Sequence, residues 1–433
     1  MMLRDFCKVL SIVTFLILVS ALSPPTTATE PAPDSTQSST LPTTTPIIDL
    51  VESITRGRLA LEIRPRYAFI EESNKPKKTA AWTVRTLLGW QTAPVGDFRF
   101  TGQYIYTGIL GPENLNTDPA RFFSSPFPLL PDPAHAGINQ IFADYTGLPE
   151  TRIRLGRQIL RINDEHFISD VDFRQTPQVF DGVTITNTTL PETRIELGEY
   201  RRIRTVLGGA LRLRLHILHA AWNLMPEHTL SAYGYAQDRA ATGAQTGFAH
   251  NAQRIVGLQA EGGGALNEGW RWLYSAAYAR QSRIGEGDAR IKATYSRVGV
   301  GFQSNGSNVW GARLDHEIKG SNKGVYGFQT PLSDYYAFSG WALQFTSTPS
   351  QGLRDTWITA RGQLGNLALF LESHHYRSDF SSLDLGREID VSGSYPINPN
   401  LIVKLQDAQY RPGSGTAVKK DVDKTWLALT YTY

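Results

Sequence analysis

Cysteine is almost absent from this chain: Cys7 is the only one in 433 residues, and there are three methionines. Cys7 precedes an apolar run that has the look of a removable leader, so the processed protein is expected to carry no thiol. That excludes a disulfide framework, a cysteine-ligated zinc centre and a thiol nucleophile. It also excludes a lipid-bearing cysteine, which would follow the run. Long apolar runs are equally scarce. Val9–Leu22 is the longest, and its 14 residues fall short of the roughly 20 that a spanning helix needs. A bundle of membrane helices is therefore excluded.

Charge of one sign is lacking too, with 43 Lys and Arg against 40 Asp and Glu. Loss of residues 1–28 would remove Arg4, Lys8 and Asp5 and lower the formal charge from +3 to +2. No nucleic-acid partner is expected, and any basic character must be local. Catalytic signatures are missing as well. There is no Gly-x-Ser-x-Gly elbow, and Glu261-Gly-Gly-Gly264 lacks the lysine of a phosphate loop, so a turn explains it. No cofactor is expected.

What is abundant is aromatic and glycine: Tyr 18, Phe 19, Trp 9 and Gly 38. Such a composition suits many short strands joined by tight turns. The N-terminus has a positive n-region (Arg4, Lys8), the apolar run, and small residues beyond it, the pattern of a secretory signal. Cleavage after Ala21 or after Ala28 fits equally. Residues 29–48 are Ser, Thr and Pro with little to bury, and are expected to form a disordered periplasmic leader. The remainder, 49–433, is expected to be one domain.

From about residue 58 the chain alternates. Leu59, Leu61, Ile63, Tyr67 and Phe69 share one face against Glu62, Arg64 and Arg66. Trp82, Val84, Leu88 and Trp90 oppose Thr83, Arg85 and Gln91, and Phe98, Phe100, Tyr104 and Tyr106 oppose Arg99, Thr101 and Gln103. Successive side chains in a strand point to opposite faces, so each segment has one greasy and one polar side. A soluble β-sandwich would alternate likewise. Against it stand the repeated arginines on the polar face, the absence of any domain break, and the C-terminus. There Leu427, Leu429, Tyr431 and Tyr433 share a face and the chain ends on an aromatic, which resembles the assembly signal of outer-membrane barrels.

The expected fold is therefore all-β, a single transmembrane antiparallel up-and-down barrel of about 18 strands in the bacterial outer membrane. Nineteen segments qualify as strands. Even parity is restored by discarding 336–348 and placing 319–352 wholly outside as one long loop. Short turns are expected near 93–96, 147–150, 189–192, 225–228, 304–307, 365–366 and 398–400. Long connections are expected at 109–136, 162–177, 238–251 and 412–422. The segment 192–223 is split at Gly208–Gly209.

Three stretches also carry a resemblance. Leu155-Gly-Arg-Gln-Ile-Leu-Arg-Ile-Asn-Asp-Glu-His-Phe-Ile-Ser-Asp-Val-Asp-Phe-Arg-Gln-Thr-Pro-Gln-Val-Phe-Asp-Gly-Val183 resembles the signature of the alginate-export porins. Phe328-Gln-Thr-Pro331, Phe338-Ser-Gly-Trp341, Gly352-Leu-Arg-Asp355 and Leu385-Gly-Arg-Glu-Ile-Asp390 resemble that family's C-terminal half. The resemblance implies an eighteen-stranded channel with an arginine-rich constriction that passes an anionic polysaccharide or smaller anions. Only Arg157 and Arg174 fall on the motif closely enough to carry over. Phe173 stands where the family pattern has Trp.

If greasy faces meet lipid, then Arg64, Arg66, Arg85, Arg99, Arg152, Arg154, Arg212, Arg214 and Arg313 face the lumen as candidate anion-selective residues. A guanidinium stays charged at physiological pH and grips a carboxylate through two parallel hydrogen bonds. The plainer alternative is that they pair with Glu62, Asp315 and Glu317 and brace the wall. Arg157 falls on the lipid-facing parity and needs a bulge or the rim. Asp164, Glu165, Asp170, Asp172 and Asp181 offer hard oxygen ligands of the kind Ca²⁺ uses. No glycine stands where a calcium loop would turn, so salt bridges to Arg161 and Arg174 are preferred and no metal site is expected.

His374-His375-Tyr376 is the one stretch suggestive of an enzyme. Neighbours in a strand face opposite ways, so a strand end near the outer rim is the simpler account. The expected function is an anion channel for alginate-like uronate polysaccharide or oligosaccharides. The alternatives are a barrel-type outer-membrane enzyme and a pore for neutral or apolar molecules. Expected partners are outer-membrane lipid and lipopolysaccharide, the anionic sugar, and the barrel-assembly machinery acting on the last strand, with a monomer as the expected state.

Overall fold

A computed structural model describes residues 50–238, 242–243, 252–306, 308–417 and 419–433. The expected signal and leader, 1–48, lie outside the described residues, as does most of the connection expected at 238–251.

Eighteen long strands run antiparallel. The first nine are β1 (Arg58–Glu72), β2 (Thr79–Gln91), β3 (Phe98–Leu110), β4 (His135–Leu148), β5 (Thr151–Gln158), β6 (Val179–Asn187), β7 (Thr193–Arg204), β8 (Ala210–Met225) and β9 (His228–Gln237). They continue as β10 (Gln253–Asn267), β11 (Trp270–Arg283), β12 (Lys292–Ser304), β13 (Trp310–Lys319) and β14 (Leu353–Leu364). β15 (Leu367–Arg377), β16 (Asp384–Asn398), β17 (Leu401–Arg411) and β18 (Val422–Thr432) complete the series. A two-residue strand, Thr242–Gly243, adds to the edge of β8. Each long strand pairs with its sequence neighbours, and β18 pairs back onto β1 from Glu62↔Thr432 to Glu72↔Val422. Closure leaves no sheet edge, the condition for strands to cross a bilayer.

The alternation read from β1, β2 and β3 holds. Leu59, Leu88, Trp90, Phe98, Phe100, Tyr104 and Tyr106 are all exposed outward, while Arg66, Thr83 and Arg85 are buried inward. The same outward exposure recurs around the wall, at Leu218, Val256, Val300, Ile358 and Leu405 among others. A continuous apolar band of that extent is a liability in water and is matched by lipid.

One end carries short turns and the other the long connections, 111–134, 159–178 and 320–352 among them. The split expected at Gly208–Gly209 falls in a tight turn between β7 and β8, where Gly208 has φ +79°. A short helix, α1 (Leu50–Thr55), meets the short-turn end, where the Ala93 N–H donates to the Ser53 carbonyl at 2.9 Å. The parity argument for one connection over 319–352 is correct, but its placement wholly outside is not. The segment folds back into the barrel and buries Phe328, Trp341, Ala342 and Phe345. It carries these apolar side chains because its inner surface packs rather than meets water.

Candidate functional site

Among the described residues, segments 159–178, between β5 and β6, and 320–352, between β13 and β14, fold into the lumen, and 111–134 adds Leu130 and Asp132 there. Beside β6–β12 the first two meet the wall through apolar contacts. Leu160, Ile162, Phe167, Ile168, Phe328 and Leu332 pack against Leu211, Leu213, Leu215 and Ile217 of β8 and Tyr233 and Tyr235 of β9. This packing corrects two expected pore residues. The inward parity of β8 belongs to its leucines, so Arg212 and Arg214 point outward on the side of Leu218 and Trp222. A run of Arg and Leu in alternation does not say which set is inside. Here a greasy loop reverses the usual assignment.

Beside β1 and β2 the hold is ionic. Arg64 donates to the Asp172 carbonyl (3.0 Å), the Arg174 carbonyl (2.6 Å) and Gln175 Oε1 (3.2 Å). Arg66 reaches the Phe173 carbonyl and Asp132 Oδ2, each at 2.5 Å. Arg85 lies between Glu62 Oε1 (2.5 Å) and Asp172 Oδ1 (2.7 Å). Burial alone would raise the Asp172 carboxyl, but Arg85 and Arg64 hold it below its ordinary value. Asp132, also buried, is likewise held low by Arg66 and Arg174. These three arginines therefore brace segment 159–178.

Arg154 forms a two-pronged pair with Asp144 (2.7 and 2.8 Å), and Arg313 with Asp315 (2.6 and 2.9 Å). Arg99 and Arg152 face the lumen exposed. Neither forms an ion pair with a described residue. Arg361 on β14 and Lys404 on β17, both on inward parity, were not singled out in the sequence and form no ion pair with a described residue either. Their sequence signal was a single cation on the inward parity of each strand, with Arg354 and Arg411 on the other. Arg157 points outward and pairs with Asp181 (2.7 and 2.9 Å), beside a bulge in β7 between Tyr200 and Arg202.

The acids of segment 159–178 are arginine partners in the main. Asp170 pairs with Arg161 (2.7 Å), Asp172 with Arg85, and Asp164 with Arg297 (3.0 Å). Arg161 fulfils the expected pairing; Arg174 does not. Arg174 forms no ion pair with a described residue and sits over the Phe173 ring at 5.5 Å. Burial lowers its guanidinium pKa. It lines a cavity of about 910 Å³ at the long-connection end, together with Phe122, Phe173, Tyr335, Tyr336 and Phe345.

Four aromatic rings, two of them in the cavity lining, form a nearly parallel stack between β1 and β15. Phe173–Tyr336 centroids are 3.5 Å apart, Tyr336–Trp341 5.1 Å and Trp341–Phe370 5.2 Å. Arg66 lies over Phe173 at 4.8 Å, and Arg361 over Phe370 at 5.5 Å. The far end of segment 320–352 is pinned by β16. The Trp341 N–H donates to Asp390 Oδ2 (3.1 Å) and the Ala342 N–H to Glu388 Oε1 (2.5 Å). Lys424 donates to the Ala342 carbonyl at 2.6 Å.

His374 and His375 face opposite sides, as strand geometry requires. His375 is exposed, and His374 is buried between Asp355 (Nδ1, 2.8 Å) and Glu372 (Nε2, 2.9 Å). Glu372, His374 and Asp390 are the one grouping among the described residues whose donor atoms, within 4.8 Å of one another, suit a metal ion. Both ring nitrogens of His374 are already engaged by carboxylates, which makes an ion-pair relay the sufficient account.

Residues 118–321 match the alginate-export family. No curated protein matches the chain in sequence. In fold it is similar to Pseudomonas aeruginosa OpdL, at 16% identity and TM-score 0.65, over 88% of this chain and 99% of that one. OccK9 (OpdG) of the same organism gives 16% and 0.66 over 88% and 99%. OpdK of the same organism, solved with vanillate, gives 12% and 0.61 over 87% and 98%. The closed eighteen-stranded barrel is thus the fold of outer-membrane porins.

Proposed function

We propose that this protein is an outer-membrane channel for carboxylate-bearing solutes, with uronate oligosaccharides as its substrate class. The observation that carries this reading is Arg174, half-buried in a cavity of about 910 Å³ and in direct ion pair with no described acid, although Asp132 and Asp334 lie near enough to act on its charge. A guanidinium in such a place offers a two-pronged seat to a carboxylate. Arg99, Arg152, Arg361 and Lys404 then supply unpaired positive charge along the lumenal faces. The alginate-export match over residues 118–321 supports an anionic sugar. The cavity volume lies in the range of small-ligand pockets, so oligomers suit it better than a long polymer.

The aromatic lining favours a second reading, a small aromatic carboxylate, and OpdK with its vanillate is a neighbour in fold. Nothing around His374 offers a substrate access to a reactive group, so a channel is preferred to an enzyme.

The test is the reversal potential of refolded protein in a planar bilayer under a KCl gradient, followed by block with uronate oligomers and with vanillate. Anion selectivity, with uronate block that weakens in Arg174→Ala, is the expected result. Vanillate block alone would select the second reading. Cation selectivity, or no conductance, would overturn both.

A further inference from the structure

Arg212 and Arg214, displaced from the lumen, are part of a larger outward feature. On the outer halves of β8 to β12 the outward positions are Arg212, Arg214 and His216, then Arg254, Arg280 and Lys292. The described acid among them is Asp238, which meets Arg214 (3.2 Å) and His216 (3.5 Å). Arg254 donates to Ser282 Oγ at 3.1 Å. Arg280 and Lys292 are exposed and form no ion pair with any described residue. Arg212 lies directly across from Arg202 in the β7–β8 register, an opposition of like charges that Asp181, 3.9 Å from Arg202, offsets on the Arg202 side.

Immediately below the cations the surface turns apolar and acquires relief. Outward positions on β9 are Ala232, Gly234 and Ala236, and a methyl added at Gly234 would meet nothing within 4 Å. Their neighbours in register are large: Leu218 and Val256 flank Gly234, and Leu258 flanks Ala232. Leu218, Val256 and Leu258 are each half exposed or more. The outcome is a furrow one strand wide, floored by small residues and walled by aliphatic ones, with Arg254 beside Ala236 at its head and His216 on the other side.

We infer that this face holds one phosphorylated glycolipid of the outer leaflet, of the lipid A class, with an acyl chain in the β9 furrow and its phosphates on Arg254, Arg280 and Lys292. The inference rests on the membrane-barrel reading above. A soluble anion would need the cations alone. The junction of phosphate-seeking side chains with an acyl-sized groove is what a phosphoglycolipid matches.

The test uses the full barrel in phosphatidylcholine vesicles doped with diphosphorylated lipid A or with the same lipid dephosphorylated. Insertion is read from heat-modifiable gel mobility, and retained lipid from native mass spectrometry. Retention of the phosphorylated lipid alone is expected, weakening about fivefold for each cation removed in Arg254→Ser, Arg280→Ser and Lys292→Ser. Lys78→Ser, elsewhere on the outer surface, should leave it unchanged. Gly234→Leu, which fills the furrow and leaves every charge, should also weaken it. Barrels that insert but hold both lipids equally, or variants that retain lipid as wild type does, overturn the site. Failure to insert into any vesicle overturns the membrane reading and the site with it.

Discussion

The rings of Phe173 and Tyr336 lie 3.5 Å apart, centroid to centroid, and within 9° of parallel. One belongs to the segment between β5 and β6, the other to the segment between β13 and β14. Their stack is the point at which two separate inward folds become a single partition within the lumen. Trp341 and Phe370 extend it to β15, four strands round the wall from β1. The partition is held at its middle by ring stacking and at its ends by guanidinium groups.

Tyr336→Ala removes the central ring and should cost about 2–4 kcal/mol of local packing. The barrel wall does not depend on it. Single-channel current is therefore expected to rise and grow noisy, while insertion and heat-modifiable mobility stay as in wild type. Unchanged current would mean that the stack does not bound the conducting path.

Arg66 and Arg174 differ only in surroundings: both are arginines of the lumen, yet one is spent and the other is available. Arg66 is 3% exposed and paired with Asp132, which is 2% exposed. Arg66→Ala leaves that carboxylate buried with the Gln175 N–H but without its ion pair, a loss on the order of 3–5 kcal/mol. Urea unfolding in vesicles should show it, and Asp132→Asn in the same chain should restore part of it. Arg174→Ala should leave the unfolding midpoint within about 0.5 kcal/mol of wild type. Equal destabilisation by both would contradict the division between brace and binding residue.

Much of this was legible in the sequence. Period-two alternation in β1 to β3 fixed which side of the wall met lipid, and strand parity required 320–352 to be a connection. What could not be read was where connections go once they leave the wall. Leu211, Leu213 and Leu215 alternate with Arg212 and Arg214, and only the apolar loop packed inside decides which set faces inward. Glu388 and Asp390 alternate in the sequence with Ile389 and Val391. Their role depends on backbone N–H groups about 50 residues away, and no periodicity encodes that.

Asp334 caps the short helix α2 (Tyr335–Phe338), accepting from the Tyr336 and Ala337 N–H groups at 3.0 and 3.3 Å. Burial raises its pKa from 3.8 to about 6, and Glu165 and Asp170 nearby act in the same sense. A carboxyl raised in the folded state favours the protonated form. Its contribution is complete below pH 3.8 and is lost as pH rises through about 6. Segment 320–352 should therefore be held more tightly at pH 5 than at pH 7, with fewer current fluctuations. Asp170 is also raised by burial and adds to the trend. Asp334→Asn keeps the cap without the titration and should flatten the difference. Retention of the full pH dependence in that variant would assign it elsewhere.

Glu388 and Asp390 are the wall's grip on the far end of the same segment, each accepting one backbone N–H. Replacing both with Ala leaves the Trp341 and Ala342 N–H groups buried without acceptors, about 1–3 kcal/mol each. Every wall pairing between β15, β16 and β17 survives the change, because those bonds are made by backbone. The expected phenotype is a barrel of normal thermal stability whose conductance is raised and unsteady. Glu388→Gln with Asp390→Asn retains a carbonyl oxygen at each position and should restore wild-type currents. If the amide pair proves as disturbed as the alanine pair, negative charge is what matters there, acting on Lys424 and His374, and the hydrogen bonds to the segment are secondary.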